Sequence, residues 1–95
     1  MEKELLEMIK KYRELTTKAL EKAKKAEKAE GMENWAEEVI EMAESYLNDS
    51  FYFEKKNDLL RTLAALSYAH GWLDAGARIG LFRVNDSRLF TVDDL

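Results

Sequence analysis

The sequence contains no cysteine, no proline and no glutamine, and it has only one histidine. Without cysteine the chain has neither disulfides nor thiolate metal ligands, and nothing indicates an oxidising compartment. No apolar run reaches the length of a signal peptide or a membrane span, so we expect a soluble, cytoplasmic protein that makes no membrane contact. Lysine and glutamate are abundant instead, a bias that resembles the usage of thermophile proteins.

Charge is spread unevenly along a chain whose formal net charge is −4. Residues 1–30 carry nine lysines and arginines and seven glutamates, whereas residues 31–54 carry seven acidic residues and no basic one. A nucleic-acid-binding protein needs a concentrated basic face, so this distribution argues against a nucleic-acid partner. The alternative, RNA binding, would use four cations of the first segment: Arg13, Lys18, Lys22 and Lys25.

The periodicity of the apolar residues predicts three helices. Residues 2–29 repeat apolar side chains in alternating steps of four and three, and residues 34–55 have one aromatic and aliphatic face. Residues 59–80 are apolar nearly all round. The sequence therefore predicts a single all-α domain over residues 1–95, which is a three-helix up-and-down antiparallel bundle with a long first helix and a short C-terminal tail.

The ends of these helices have their own signals. Gly31 and Gly80 suit helix C-termini, because glycine adopts the left-handed conformation at little cost. Asn57–Asp58 suits a turn followed by the N-cap of the third helix. The tail, residues 81–95, alternates apolar and polar residues around Asn85–Asp86, which predicts either a short hairpin or an extended arm.

The third helix has apolar residues on two sides, so both sides should be covered. One strip repeats every seven residues and consists of Leu59, Leu66 and Leu73. The other side has small residues that form a groove for the close approach of another helix: Ala64, Gly71 and Ala75. We expect a homodimer in which third helices, or third helix and tail, meet across a two-fold axis at the leucine strip. In the alternative, three tail residues fold back over that strip: Leu89, Phe90 and Val92.

One polar line crosses the third helix and consists of Ser67, His70, Asp74 and Arg78. The spacing places these residues on one side of the helix, within reach of Asp49 on the second helix. They form either a polar network that fixes helix register or a small ligand-binding or catalytic site. A Ser-His-Asp hydrolase also needs an oxyanion hole and a sharply presented nucleophile, which a serine inside a helix lacks. We therefore predict no catalytic residue, no cofactor and no metal.

Residues 46–82 hold a recognisable series of motifs. These are Asp49, Phe51-Tyr52-Phe53, Asp58, Leu63-Ala64-Ala65-Leu66-Ser67-Tyr68-Ala69, Gly71-Trp72-Leu73-Asp74-Ala75-Gly76 and Gly80-Leu81-Phe82. In these motifs the chain resembles a group of short archaeal proteins classified as domain of unknown function 357. The resemblance implies an archaeal intracellular protein folded as a small up-and-down helical bundle. It implies no activity, so it assigns no catalytic residue.

A looser resemblance is to helical bundles that accompany nucleotidyltransferases and act in toxin systems as ribonucleases. The shared features are an aromatic-rich helix end, an Asn/Asp turn and an alanine-rich helix with Tyr68-Ala69. Active members carry an arginine followed closely by a histidine, whereas eight residues separate Arg61 from His70 here, which argues against RNA cleavage. We expect a non-enzymatic helical interaction or structural module that works as a homo-oligomer. A ligand-binding or enzymatic module and an RNA-associated bundle are the alternatives.

Overall fold

The computed structural model describes residues 1–92, and these form three helices: α1 (Glu2–Lys25), α2 (Glu33–Lys55) and α3 (Leu59–Ile79). The helices alternate in direction, with α3 packed against both of the others. This arrangement confirms the predicted all-α, three-helix up-and-down bundle with a long first helix. Among the helices of residues 1–92, none combines the length and the apolar character that a bilayer crossing requires.

Contacts between side chains fix the directions of the helices. Tyr46 packs against Tyr68, and Val39 approaches Gly76, so α2 and α3 are antiparallel. The N-terminal half of α1 lies beside the N-terminal half of α3, so these two helices are parallel. The core lies between the three helices and contains many small side chains. Among its fully buried alanines are Ala19, Ala23, Ala36 and Ala69.

α1 ends at Lys25, four residues before the predicted end at residue 29. Ala26 is already extended, and the segment that follows it forms an isolated antiparallel β-bridge between Lys28 and Phe82. Two backbone hydrogen bonds of 2.9 Å flank this bridge. The ammonium group of Lys28 also donates to carbonyl oxygens in the last turns of α1. α1 ends before residue 29 because the tail and the Lys28 ammonium group bond to backbone N–H and C=O groups that a further helical turn would otherwise satisfy.

The ends of α3 agree with the sequence signals. Asn57 adopts a left-handed conformation with φ 57°, and the Asp58 carboxylate accepts from the backbone amide of Arg61 at 3.1 Å. Hydrogen bonds from Arg61 lower the pKa of Asp58. At the other end, Gly80 has φ 88° and the amide of Leu81 donates back into the last turn at 2.9 Å. These bonds form a Schellman-type cap that turns the chain toward the core.

Gly76 makes room for the largest fully buried side chain of the described residues, Phe82. A Cβ atom at Gly76 would lie 2.6 Å from Cζ of Phe82 and 3.0 Å from Cγ1 of Val39. The first distance is shorter than real Cβ contacts, and the second is tighter than nearly all of them. The glycine is therefore needed at this position so that the phenyl ring can lie against the backbone of α3.

The described part of the tail is an extended arm with one turn rather than a hairpin. The carbonyl of Asp86 accepts from the amides of Leu89 and Phe90, and its carboxylate accepts from Lys22 of α1 at 2.7 Å. Leu89 and Phe90 are buried, and the ring of Phe90 lies 6.3 Å from that of Phe82. The tail thus covers a side of the core that the three helices leave open. Residues 93–95 of the predicted tail lie outside the described residues.

The leucine strip of α3 lies inside the single chain. Leu66 and Leu73 are fully buried, and Leu59 is half-buried against the core. We call the buried side of α3, which consists of Thr62, Leu66, Ala69 and Leu73, the inner face. The structure corrects the prediction that this strip meets a second subunit. The reason is that Leu66 and Leu73 pack against buried residues of α1, α2 and the tail, which removes their apolar area from water.

Candidate functional site

Six residues form an uncovered side of α3, which we call the outer face: Leu60, Ala64, Tyr68, Gly71, Ala75 and Ile79. They recur in steps of three and four, so they share one side of the helix. All six are exposed, and Leu60 and Ile79 are 73% and 72% exposed. The charged residues Arg61 and Arg78 lie only at the two ends of this face. The outer face is therefore a continuous apolar surface about five helical turns long.

The middle of the outer face is a shallow groove of about 340 Å³. It is lined by Ser67, Tyr68, Gly71, Trp72 and Ala75. A Cβ atom at Gly71 would meet nothing within 4 Å, so the groove is open above the helix backbone. The predicted groove residues Ala64, Gly71 and Ala75 thus lie on the surface and face away from α1 and α2.

An aromatic edge borders this groove on the side of α2. The ring centroid of Tyr68 lies 4.4 Å from that of Tyr46 and 6.3 Å from that of Trp72. Farther along α2, the side chain of Trp35 is 64% exposed. These rings widen the apolar surface beyond α3 and hold Tyr68 in place.

His70 joins α3 to α1 and to the tail. Its Nδ1 lies 3.1 Å from Oγ1 of the buried Thr16, and its Nε2 lies 2.8 Å from the carbonyl oxygen of Leu89. A carbonyl oxygen can only accept, so Nε2 carries the proton and, in the neutral ring, Nδ1 accepts from the Thr16 hydroxyl. One ring nitrogen therefore bonds to α1 and the other to the tail, so His70 links the two.

Asp74 holds the same segment of the tail one turn farther along α3. Its Oδ1 accepts from the backbone amide of Thr91 at 2.8 Å, and its Oδ2 accepts from the Thr91 hydroxyl at 3.1 Å. The distance between Nε2 of His70 and Oδ1 of Asp74 is 3.9 Å. The two side chains thus dock residues 89–91 through three hydrogen bonds.

The other members of the predicted polar line differ in their surroundings. Ser67 shares a groove of about 280 Å³ with His70 and Asp74, between α1 and α3. Arg78 shares a cleft of about 380 Å³ with the same two residues and the tail. Asp49 is exposed on α2 and lines neither space. The structure brings four of the five residues together and leaves Asp49 apart.

This arrangement limits the chemistry of the polar line. Neither nitrogen of His70 is free to take a proton from Ser67, because Thr16 and Leu89 occupy them. Residues 1–92 contain no group of three or more histidine or carboxylate side chains placed to hold a metal ion. The contacts of His70 and Asp74 match those of a polar network that fixes a chain segment.

The four cations of the predicted RNA site lie on different sides of α1. The guanidinium group of Arg13 faces α2, donates to Oγ of Ser50 at 2.8 Å, pairs with Glu54 and stacks 4.0 Å from the ring centroid of Phe51. A separate groove of about 460 Å³ holds the other three with residues of both signs: Lys18, Lys22, Lys25, Glu21, Asp86 and Arg88. These cations therefore do not form one basic face.

Sequence reasoning missed several residues of these two regions. Thr16 and Thr91 were not identified as partners of the polar line, because their distance along the chain gives no signal of contact. We also expected both apolar sides of the third helix to be covered, whereas the side that holds Leu60, Tyr68 and Ile79 is exposed within residues 1–92. The signal that could have corrected this was the size of the side chains, since a strip of leucines gains more from burial than a side rich in alanine and glycine.

Comparison with known proteins gives one match. Neither a curated protein nor a solved structure matches this sequence. The sequence model of one family, described as protein of unknown function (DUF357), matches residues 11–82. This range contains residues 46–82, whose motifs carry the resemblance, and it extends over most of α1. Because the match covers well over half of the chain, the protein belongs to the DUF357 family.

Proposed function

We propose that this protein is a non-enzymatic helical interaction module that acts as a homo-oligomer, with the outer face of α3 as its binding surface. The observation that carries the proposal is the exposure of this face. It runs from Leu60 to Ile79 without a charged residue in its middle, and nothing in residues 1–92 covers it. A soluble monomer gains nothing from leaving such a face in water.

The composition of the outer face suits the binding of a helix. Ala64, Gly71 and Ala75 allow a second backbone to approach closely, and Leu60 and Ile79 supply the larger apolar side chains at the two ends. Tyr68 is held from the side by Tyr46 and Trp72, so it loses little further conformational freedom on binding. Aromatic side chains of this kind contribute strongly to interfaces.

The contacts of the polar line support a module without enzymatic activity. His70 and Asp74 engage residues 89–91 of the tail, and a reacting group would have to displace the tail to reach them. A ligand-binding role for the cleft beside Arg78 is the competing proposal. It predicts that replacing Arg78 abolishes a binding event, whereas the interaction module predicts no such loss.

The cellular setting forms part of the same proposal. A cytoplasmic location and an archaeal, thermophilic source rest on the composition rich in lysine and glutamate and on the resemblance of residues 46–82 to the archaeal family. Protein is proposed as the partner rather than nucleic acid, because the cations of α1 are divided between two sides, and Arg13, Lys22 and Lys24 are held in ion pairs.

Sedimentation equilibrium of the unmodified chain, from low to high micromolar concentration, tests the proposal. We expect a concentration-dependent dimer that Ala64→Glu converts to monomer, because a carboxylate would be buried without a partner. The matched control is Ser45→Glu on the exposed surface of α2, which should leave the dimer intact. A chain that remains monomeric at high micromolar concentration, or a dimer insensitive to Ala64→Glu, would overturn the proposal.

A further inference from the structure

The outer face of α3 reads nearly the same in both directions. In chain order it presents a large aliphatic residue, an alanine, a tyrosine, a glycine, an alanine and a large aliphatic residue. These are Leu60, Ala64, Tyr68, Gly71, Ala75 and Ile79, all of them exposed. The centre of this pattern lies between residues 69 and 70. A surface of this kind is close to self-complementary under a two-fold axis that reverses the helix direction.

We propose that the partner of the outer face is a second copy of this chain, whose α3 lies antiparallel across it with the two-fold axis between residues 69 and 70. This inference rests on the proposed function and specifies its partner and geometry. The axis places Ala64 at the level of Ala75 of the partner subunit. It places Tyr68 at the level of Gly71 of the partner subunit and Leu60 at the level of Ile79 of the partner subunit.

The sizes of the facing side chains fit this register. Ala64 and Ala75 lie near the middle of the outer face, so two helices can approach closely where small residues face each other. Tyr68 and Gly71 lie on opposite flanks of that middle line. A two-fold axis keeps each flank on the same side of the interface, so Tyr68 lies beside Tyr68 of the partner subunit on one flank. The open positions at Gly71 lie together on the other flank, where no atom of the same chain lies within 4 Å of a Cβ position.

The area of the surface is sufficient for a specific dimer. The outer face is about 28 Å long at a helical rise of about 1.5 Å per residue. With the aromatic edge of Tyr46, Trp72 and Trp35 it is roughly two helices wide, or about 20 Å. This gives about 1,100 Å² for two subunits together, which is just above the lower bound of about 1,000 Å² for a biological interface. The proposed dimer is therefore reversible and depends on concentration.

Cysteine cross-linking tests the register directly, because the natural sequence contains no cysteine. We expect that a mixture of Ala64→Cys and Ala75→Cys chains forms a disulfide-linked dimer under mild oxidation, since a disulfide requires Cα atoms about 4.4–6.8 Å apart. Each variant alone should remain unlinked on a non-reducing gel, because identical positions lie on opposite sides of the two-fold axis. Ser45→Cys, on an exposed position of α2, is the control for random collisions.

A charge exchange gives an independent test without oxidation. Ala64→Lys combined with Ala75→Glu should dimerise at least tenfold more tightly than Ala64→Glu combined with Ala75→Glu, as measured by sedimentation equilibrium. Circular dichroism of both double variants checks that the helices remain, since all four substitutions lie on exposed positions. In an antiparallel pair the variant with Ala64→Lys and Ala75→Glu forms two ion pairs, whereas in a parallel pair the same variant forms two like-charge contacts.

The outcomes separate this inference from the proposed function. If each single cysteine variant cross-links to itself and the mixed pair does not, the dimer is parallel; the interaction module stands and the antiparallel register is overturned. A dimer in which neither the mixed pair nor the single variants cross-link also overturns the register. If the unmodified chain is monomeric, both proposals fail together. Cross-linking of the mixed pair alone, with tight association of the Lys/Glu variant, supports both.

Discussion

The inner and outer faces of α3 are both mainly apolar but have opposite surroundings. Leu66 and Leu73 on the inner face are fully buried by the other helices and the tail. Leu60 and Ile79 on the outer face are about three-quarters exposed, as the values of 73% and 72% show. The two faces also differ in side-chain size, because Leu66 and Leu73 dominate the inner face, whereas the small residues Ala64, Gly71 and Ala75 lie along the outer face.

This contrast indicates which side of an all-round apolar helix faces the core. Burial of a leucine side chain contributes about 1.5–3 kcal/mol, and burial of an alanine contributes much less. The side with leucines in its central turns therefore faces the core, and the outer face leaves its large aliphatic residues, Leu60 and Ile79, exposed at its two ends. The small-residue side remains outside, where it is suited to close contact with another backbone. Four experiments test this difference between the surroundings of the inner and outer faces.

The largest effect is expected from shortening a leucine on the inner face. Leu66→Ala should lower the free energy of unfolding by about 2–5 kcal/mol, because it leaves a cavity in a core that has no space to collapse. Leu60→Ala on the outer face should change it by less than about 0.5 kcal/mol in the monomer. Urea unfolding at low protein concentration measures both. Equal losses in the two variants would contradict the assignment of the faces.

Two glycines of α3 provide the next comparison. Gly76→Ala should lower the free energy of unfolding by about 1–3 kcal/mol, since the new methyl group overlaps the ring of Phe82. Gly71→Ala should raise it by as much as about 1 kcal/mol, because the site is open and alanine favours the helix. Thermal unfolding of the two variants gives the signs. A stabilised Gly76→Ala protein would show that Phe82 is not held against the helix.

A smaller effect on the free energy of unfolding is expected from the polar line of α3, which lies between the inner and outer faces. Asp74→Ala should lower the free energy of unfolding by about 1–2 kcal/mol, because the amide and hydroxyl of Thr91 lose their acceptor. The amide of Thr91 should exchange with solvent faster in this variant, as hydrogen exchange by NMR can measure. Ser67→Ala is the matched control on the same line and should leave both quantities nearly unchanged. Unaltered exchange in Asp74→Ala would contradict docking of the tail by this carboxylate.

The smallest effect concerns pH and the part of the tail that closes the inner side. Hydrogen bonds from Arg88 and then from Lys22 hold the pKa of Asp86 well below its ordinary value. A lowered carboxyl pKa contributes stability that is complete above the unfolded pKa of about 3.9 and is lost as the pH falls further toward the folded pKa. Carboxyl NMR titration should give a larger upward shift of this pKa in Arg88→Ala than in Lys22→Ala. No shift in either variant would contradict the pairing.

The sequence predicted the helices more reliably than the contacts between them. Apolar periodicity and the signals at Asp58 and Gly80 placed α3 within one residue of its observed bounds. The early end of α1 could not be predicted, because it depends on a pairing between Lys28 and Phe82 across 54 residues. Periodicity also identifies residues that share a face without stating which face is inside. For that reason the leucine strip was assigned to an interface.

The candidate site was also predictable only in part, because the spacing of residues along one helix does not show which other elements they contact. Spacing on one helix brought Ser67, His70, Asp74 and Arg78 together correctly, since the geometry of a helix is fixed. Their partners in α1 and the tail depend on tertiary packing, and so does the separation of Asp49 from the group. The interaction module and the dimer remain predictions to be tested.

The β-bridge between Lys28 and Phe82 also has a consequence for protein engineering. The connection between α1 and α2 has the length and polarity of a simple linker, and such segments usually tolerate inserted peptides. Here residues 27–29 are hydrogen-bonded to residues 81–83, so an insertion would detach the chain that carries the buried ring of Phe82. The exposed turn at Lys56 and Asn57 makes no such long-range pairing, and a reporter tag or a fused domain is better placed there.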